Sequence, residues 1–183
     1  MIKNTSDRYG IIAVLIHWIM ALVIIGMLCL GLWMVELDYY SPWYETGPDI
    51  HRSIGILIFL ALIFRLFWRL TNIQPKPEPK LKTWEIRSAA AVHWLLYILI
   101  ILIATTGYLL STADGRSILV FNWFSLPAKI TSIPDQANLS GRLHYLLAIS
   151  LMVLAGLHAL AALKHHFYDK DKTLVRMFGK SDR

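Results

Sequence analysis

Polar residues thin out along four long stretches of this chain and crowd into the segments between them. The apolar runs cover about Ile11–Val35, Ile50–Leu70, Ala89–Leu110 and Leu143–Leu163. Each approaches the roughly 20 residues that a helix needs to cross a hydrocarbon core. With no water there to bond the backbone, such spans must be helical. Helix-start signals precede three of them: Pro48-Asp49, Thr83 or Ser88, and Asn138 to Ser140. The pattern predicts an all-α integral membrane four-helix bundle. With no long internal repeat in view, 1–183 reads as a single membrane domain with spans at about 11–35, 50–70, 89–110 and 143–163.

Composition agrees. Hydrophobic residues make up 56% of the 183 and the mean hydropathy is +0.52, above the apolar share of about 45–50% usual in soluble domains. Seven Trp and eight Tyr suit bilayer interfaces, where amphipathic rings collect. The net charge of +6 is therefore read loop by loop, as an orientation signal rather than a nucleic-acid footprint. Fourteen of the 18 Lys and Arg lie in the N-terminal tail (Lys3, Arg8), the second connection (Arg65 to Arg87) and the C-terminal tail (Lys164 to Arg183). Arg52, Arg116, Lys129 and Arg142 remain for the other side, with Glu36, Asp38, Glu45 and Asp49 in the first loop. The positive-inside rule then places both termini in the cytoplasm. Residues 74–79 read as an extended linker, and the loop from Ser111 to Gly141 should fold over the outer end. Cys29 is the single cysteine, so no intrachain disulfide forms, and its apolar setting predicts a small buried hydrophobe. The start Met1-Ile2-Lys3-Asn4-Thr5 lacks a signal-peptide core, so the first span is expected to be retained.

The histidines carry the chemistry. Five of seven lie in or at the spans: His17, His51, His93, His144 and His158. An ionisable side chain within a membrane is a functional candidate by default, although a single one can also be a helix-packing residue. His144 and His158 are fourteen residues apart, which puts them roughly 21 Å apart on nearly one face of the fourth helix. His17 lies about 9 Å into the first span from the inner end and can meet His158. His51, in the first turn of the second helix, can meet His144 near the outer surface. Imidazole accepts Zn, Cu, Ni or haem iron. Two trans imidazoles from different helices, with no carboxylate or thiolate at the same depth, suit six-coordinate haem b, which favours electron transfer over oxygen chemistry. No C-x-x-C-H is present, so attachment should be non-covalent. Gly31, Gly55 and Gly156 sit near these levels and suit either a flat macrocycle or close helix packing. Arg65 follows His51 by the same fourteen residues and falls at the inner level, either snorkelling to the cytoplasm or meeting an inner haem propionate. Arg52 and Arg142 are candidates for the outer propionates. His93 lies about 6 Å into the third span, a third histidine at the inner level, assigned to propionate or second-sphere contact, with replacement of His17 as a ligand the alternative.

Several stretches carry a resemblance: Ile16-His17-Trp18, His51-Arg52-Ser53-Ile54-Gly55, Ala91-Val92-His93-Trp94, Leu143-His144, Gly156-Leu157-His158-Ala159, and the run from Ala162 through His165-His166 to Thr173-Leu174. Together they resemble the bacterial di-haem cytochrome b561 family of four-helix type, over nearly the whole chain. The loop Ser111-Thr112-Ala113-Asp114-Gly115-Arg116 looks like one enterobacterial branch. The resemblance implies an inner-membrane electron carrier of the respiratory chain with two b haems, ligated by His17 with His158 and by His51 with His144, that exchanges electrons with ubiquinone. One family member is a superoxide oxidase, so superoxide:quinone oxidoreductase activity is one expectation. The alternative is a haem-containing membrane anchor that wires a separate dehydrogenase to quinone. Either way the partners are lipid, quinone and an unnamed periplasmic donor or acceptor, without nucleic acid. A metal transporter would show broken helices and midplane polar groups, and here the midplane is Ile, Leu and Val.

Quinone reduction needs a haem edge and a proton donor together. His165 follows His158 by seven residues, on nearly the same face and about 10 Å further toward the cytoplasm. Histidine exchanges protons near neutral pH. Lys164, His166 and Asp169-Lys170-Asp171 surround it, and Trp18 is placed to pack a ring. The alternative is an ordinary polar helix end near the headgroups.

Overall fold

The computed structural model describes residues 1–179; Lys180 and Arg183 of the basic tail lie outside the described residues. Four long helices dominate: α1 (Ile11–Met34), α2 (Thr46–Thr71), α3 (Thr83–Ser111) and α4 (Gln136–Phe167). Each is long and apolar enough to cross a membrane. Few of their large apolar side chains are buried, and many are exposed. That is the reverse of a soluble bundle and the expected state of helices whose outer faces meet lipid tails.

The helices outrun the apolar stretches. α2 begins at Thr46 rather than near Ile50, because Pro48 is tolerated in a first turn where its missing N–H costs nothing. α3 begins at Thr83 rather than near Ala89; the Glu85 carboxylate accepts the Lys82 backbone N–H at 2.9 Å and satisfies one donor of the open helix end. α4 has 32 residues, about 48 Å of helix against a hydrocarbon core of about 30 Å. Its polar first and last turns therefore extend past the apolar zone. Hydropathy reads only the lipid-facing length, so these extensions were invisible to it.

The N-terminal segment and the last described helix gather at one end. Asn4 donates to the Ile73 carbonyl at 2.9 Å and accepts the Gly10 N–H at 2.8 Å. The Lys76 N–H reaches the Ser6 carbonyl at 2.8 Å. The last helix, α5 (Thr173–Arg176), folds back so that Arg176 meets Glu78 at 2.7 Å and the Lys76 carbonyl at 2.8 Å. Gly10 is obligatory in this knot, since a Cβ there would lie 2.3 Å from the Ile2 carbonyl oxygen.

The opposite end carries a feature that the sequence reading described only as a loop. β1 (Ile118–Val120) and β2 (Phe124–Leu126) form an antiparallel hairpin. Its turn holds Phe121 and Asn122 at φ 44° and 59°, the paired positive φ of a twisted hairpin turn. Ser53, buried on α2, donates to the Leu119 carbonyl at 3.3 Å and accepts the Phe121 N–H at 3.2 Å. The hairpin is thus clamped onto the first turns of α2.

Within the bundle, α1 packs on α2, α2 on α3, and α3 most extensively on α4. Among the described residues, α1 does not pack closely along α4. Met20, Leu62 and Tyr97, flanked by Ile16, Ile24, Ile58, Ala61, Leu66 and Ile100, form an apolar waist. Cys29 is exposed on α1, which corrects the expectation of burial: its face of the helix is turned outward, where a thiol behaves as a small hydrophobe among lipid tails.

Candidate redox site

The waist separates two histidine levels. At the hairpin end the rings of His51 and His144 lie 6.1 Å apart between centroids, at 70°. Two imidazoles on opposite sides of one metal, with bonds of about 2.0–2.1 Å, would place their centroids roughly 6 Å apart. His144 Nδ1 lies 2.9 Å from the Ile103 carbonyl oxygen. A carbonyl only accepts, so this nitrogen carries the proton and Nε2 keeps its lone pair for a ligand. Such a bond is what orients ligating histidines. His51 Nδ1 is buried without a hydrogen-bond partner.

Glycines seat both rings. A Cβ at Gly31 would lie 3.2 Å from His51 Cε1, and one at Gly107 would lie 3.0 Å from His144 Cε1. Gly31 was singled out in the sequence. Gly107 was missed, because nothing in its spacing from a histidine on another helix marks it. Gly55 faces the Met27 methyl, and Gly156 has open space where a Cβ would point. Arg52 is engaged by Asp49, one turn earlier, and Arg142 is exposed on α4.

At the terminal end the structure assembles His17, His93, His158 and Arg65 within electrostatic reach of one another. The His93 and His158 rings touch at 5.1 Å between centroids. The Arg65 guanidinium does not snorkel. It reaches His17 Nδ1 at 3.0 Å and the Tyr97 hydroxyl at 3.4 Å. Arginine only donates, so here His17 Nδ1 accepts, and the proton of the neutral ring sits on Nε2. Ligation through Nε2 requires the opposite tautomer, which requires Arg65 to turn to another acceptor. Trp18 lies edge-on to His17 at 5.3 Å, stacks on Phe178 at 5.0 Å, and donates to the Met177 carbonyl at 2.7 Å.

Beyond this level lies a polar cluster. His165 Nδ1 is 2.8 Å from Asp169 and 2.9 Å from Asp171. Lys164 bridges Asp169 at 2.6 Å and Glu85 at 3.3 Å. The Lys164 ammonium holds the Asp169 carboxyl below the usual carboxylate range. Outside the spans at the hairpin end, Arg116 does the same for Asp114.

Four membrane-spanning helices with imidazoles paired from different helices, on either side of an apolar waist, define a membrane-embedded redox protein of the cytochrome b class. The comparisons agree: residues 8–180 match the family model of prokaryotic cytochrome b561, and the chain belongs to that family, whose work is transmembrane electron transfer and whose cofactor is haem b. It is 48% identical to cytochrome b561 homolog 2 of Escherichia coli K12, over 97% of this chain and 95% of that protein. It is 33% identical to the probable superoxide oxidase CybB of Yersinia pestis, over 94% and 97% respectively. Cytochrome b561 homolog 1 of E. coli K12 is 27% identical over 93% and 97%. The chain is a multi-pass bacterial membrane protein in a lipid environment.

Proposed function

We propose that this protein carries electrons across the bacterial inner membrane through two haems b, with both termini cytoplasmic, and exchanges them with ubiquinone. His51 and His144 would hold the outer haem, and His17 and His158 the inner one. The observation that carries this reading is the outer pair: two imidazoles at bridging distance, one with its tautomer set by Ile103, each seated against a glycine of a neighbouring helix. Bound haem supplies one-electron oxidation and reduction. The chain supplies the ligands and an apolar waist that keeps water from the path. Fourteen residues of α4 set about 21 Å of rise between its two ligands, a large part of the hydrocarbon thickness.

Arg65 supplies a fixed positive charge at the inner level. If His17 ligates the inner haem, the Arg65 guanidinium would be free to meet a propionate. A cation near the iron favours the reduced form, so Arg65→Gln should lower the inner-haem potential by on the order of 50 mV, about 1 kcal/mol. A potentiometric titration that finds the inner haem unmoved would leave Arg65 as an interfacial charge only. Arg52 and Arg142 stand beside the outer ligands in the same capacity.

Quinone is placed at the cytoplasmic end, beside His165. Conversion of a quinone to a quinol takes two electrons and two protons. The inner haem would supply the electrons one at a time, and His165 would deliver one proton with each, replaced from the cytoplasm in between. His165→Ala should slow quinone turnover about tenfold or more, the low end of general acid–base contributions. Both haems should stay bound and still be reduced from outside. Wild-type quinone turnover in that variant would move the site elsewhere. The outer donor proposed for test is superoxide, on the strength of the relative named as a probable superoxide oxidase. The decisive assay follows the haem bands optically with a superoxide source and with other candidate donors, each with and without quinone.

A further inference from the structure

The turn that follows α4 brings a buried carboxylate back onto the residue proposed to handle protons. Lys170 adopts φ 53°, a left-handed conformation that reverses the chain within one residue. The Asp171 N–H then reaches the His165 carbonyl at 3.1 Å, and its carboxylate is carried inward. Only 1% of the Asp171 side chain remains exposed. Oδ1 accepts the Thr173 N–H at 2.9 Å. Oδ2 faces His165 Nδ1 at 2.9 Å, and neither atom has an aligned hydrogen-bond partner among the described residues.

A carboxylate taken out of water is costly unless it is paired. Asp169, on the same nitrogen at 2.8 Å, already answers to the Lys164 ammonium at 2.6 Å. Among the described residues Asp171 has no cation in such contact, and the imidazole is the group its Oδ2 addresses. Among the described residues the remaining charged neighbours of the ring are Glu85 from α3 and Lys164 from α4, bonded to each other at 3.3 Å.

We propose that Asp171 is the positioning residue for His165: it accepts the Nδ1 proton, fixes the ring's tautomer and orientation, and leaves Nε2 as the position that exchanges a proton with quinone. This rests on the placement of quinone at His165. The same logic governs carboxylate–histidine pairs in general, where the carboxylate orients the ring without itself taking the proton. In the balanced step, the bound inner haem would supply two electrons one at a time, and each would be matched by one proton from Nε2 to a quinone oxygen, so that two electrons and two protons give the quinol. The ring is reprotonated from the cytoplasm after each transfer, while Asp171 holds its orientation.

The test uses the full haem-loaded protein in detergent and a short-chain ubiquinone as probe. Asp171→Asn keeps an acceptor for Thr173 but offers His165 a neutral amide. Asp171→Ser keeps the turn through its hydroxyl and is too short to reach the ring. Both should lower kcat for quinone about 10–100-fold, with KM within about twofold and the haem bands unchanged. Asp169→Asn should cost less than about threefold. Wild-type kcat in Asp171→Ser or Asp171→Asn, with His165→Ala slow, overturns the role of Asp171 alone. Wild-type kcat in His165→Ala as well overturns the placement of quinone on which it rests. A rise in KM with kcat unchanged assigns Asp171 to the shape of the pocket and also overturns the proposal.

Discussion

Haem content falls to half when His144 is replaced by alanine, and the haem that remains keeps a low-spin spectrum. That is the expected result, because His144 and His51 are the one pair at the hairpin end and a third imidazole at their depth is lacking among the described residues. His51→Ala should behave alike. Gly107→Ile should do the same without touching a ligand. A Cβ there already lies 3.0 Å from His144 Cε1, and a branched side chain would displace the ring from the position that the Ile103 carbonyl sets. Packing helices against each other through small residues is common in membranes, so a milder Gly107→Ala variant separates the two roles. It should hold the fold and weaken haem retention. Measured by pyridine haemochrome per protein, two full haems in His144→Ala would strike His144 from the ligand set. A complete loss of both haems would show that the two levels are not independent.

The second large effect concerns the inner level, where three histidines compete for two ligand positions. His17→Ala should convert the inner haem to high spin or empty it, whereas His93→Ala should leave it low spin with a shifted potential. The structure sharpens this contest. His93 touches His158 at 5.1 Å between rings, closer than the roughly 6 Å of a trans pair. His17 is held by Arg65 at the nitrogen that must give up its acceptor role. If His17 is the ligand, Arg65→Gln frees its tautomer and leaves inner-haem occupancy intact. If instead His93→Ala produces the high-spin form and His17→Ala does not, the inner pair is His93 with His158, and Arg65 is the permanent partner of His17. Electron paramagnetic resonance of each single variant decides between them.

Much of this was written along the chain. Four apolar runs can only be helices where water is absent, and a helix has one repeat. The fourteen-residue offsets of His144 to His158 and of His51 to Arg65 therefore translate directly into depth. Arg65 lies at the depth of His17, as the offset from His51 implies, and His51 and His144 lie at one level. The run from Ala162 to Leu174 was the most specific of the stretches that carried the family resemblance.

Depth, however, says nothing of rotation about the helix axis or of the backbone between helices. Only the packing of α3 on α4 set His93 against His158 rather than leaving it as a spare, and put Gly107 beneath the His144 ring. Only the fold turned the Arg65 guanidinium inward, because its choice between water and His17 depends on where α1 stands. The hairpin at Ile118–Leu126 has strands of three residues, too short for an alternating pattern to register, and it exists because Ser53 clamps it. Asp171 looked like one charge among several in a polar tail. A single left-handed residue at Lys170 made it a buried carboxylate facing His165, and a contact of that kind is decided by the turn, which leaves no period in the sequence.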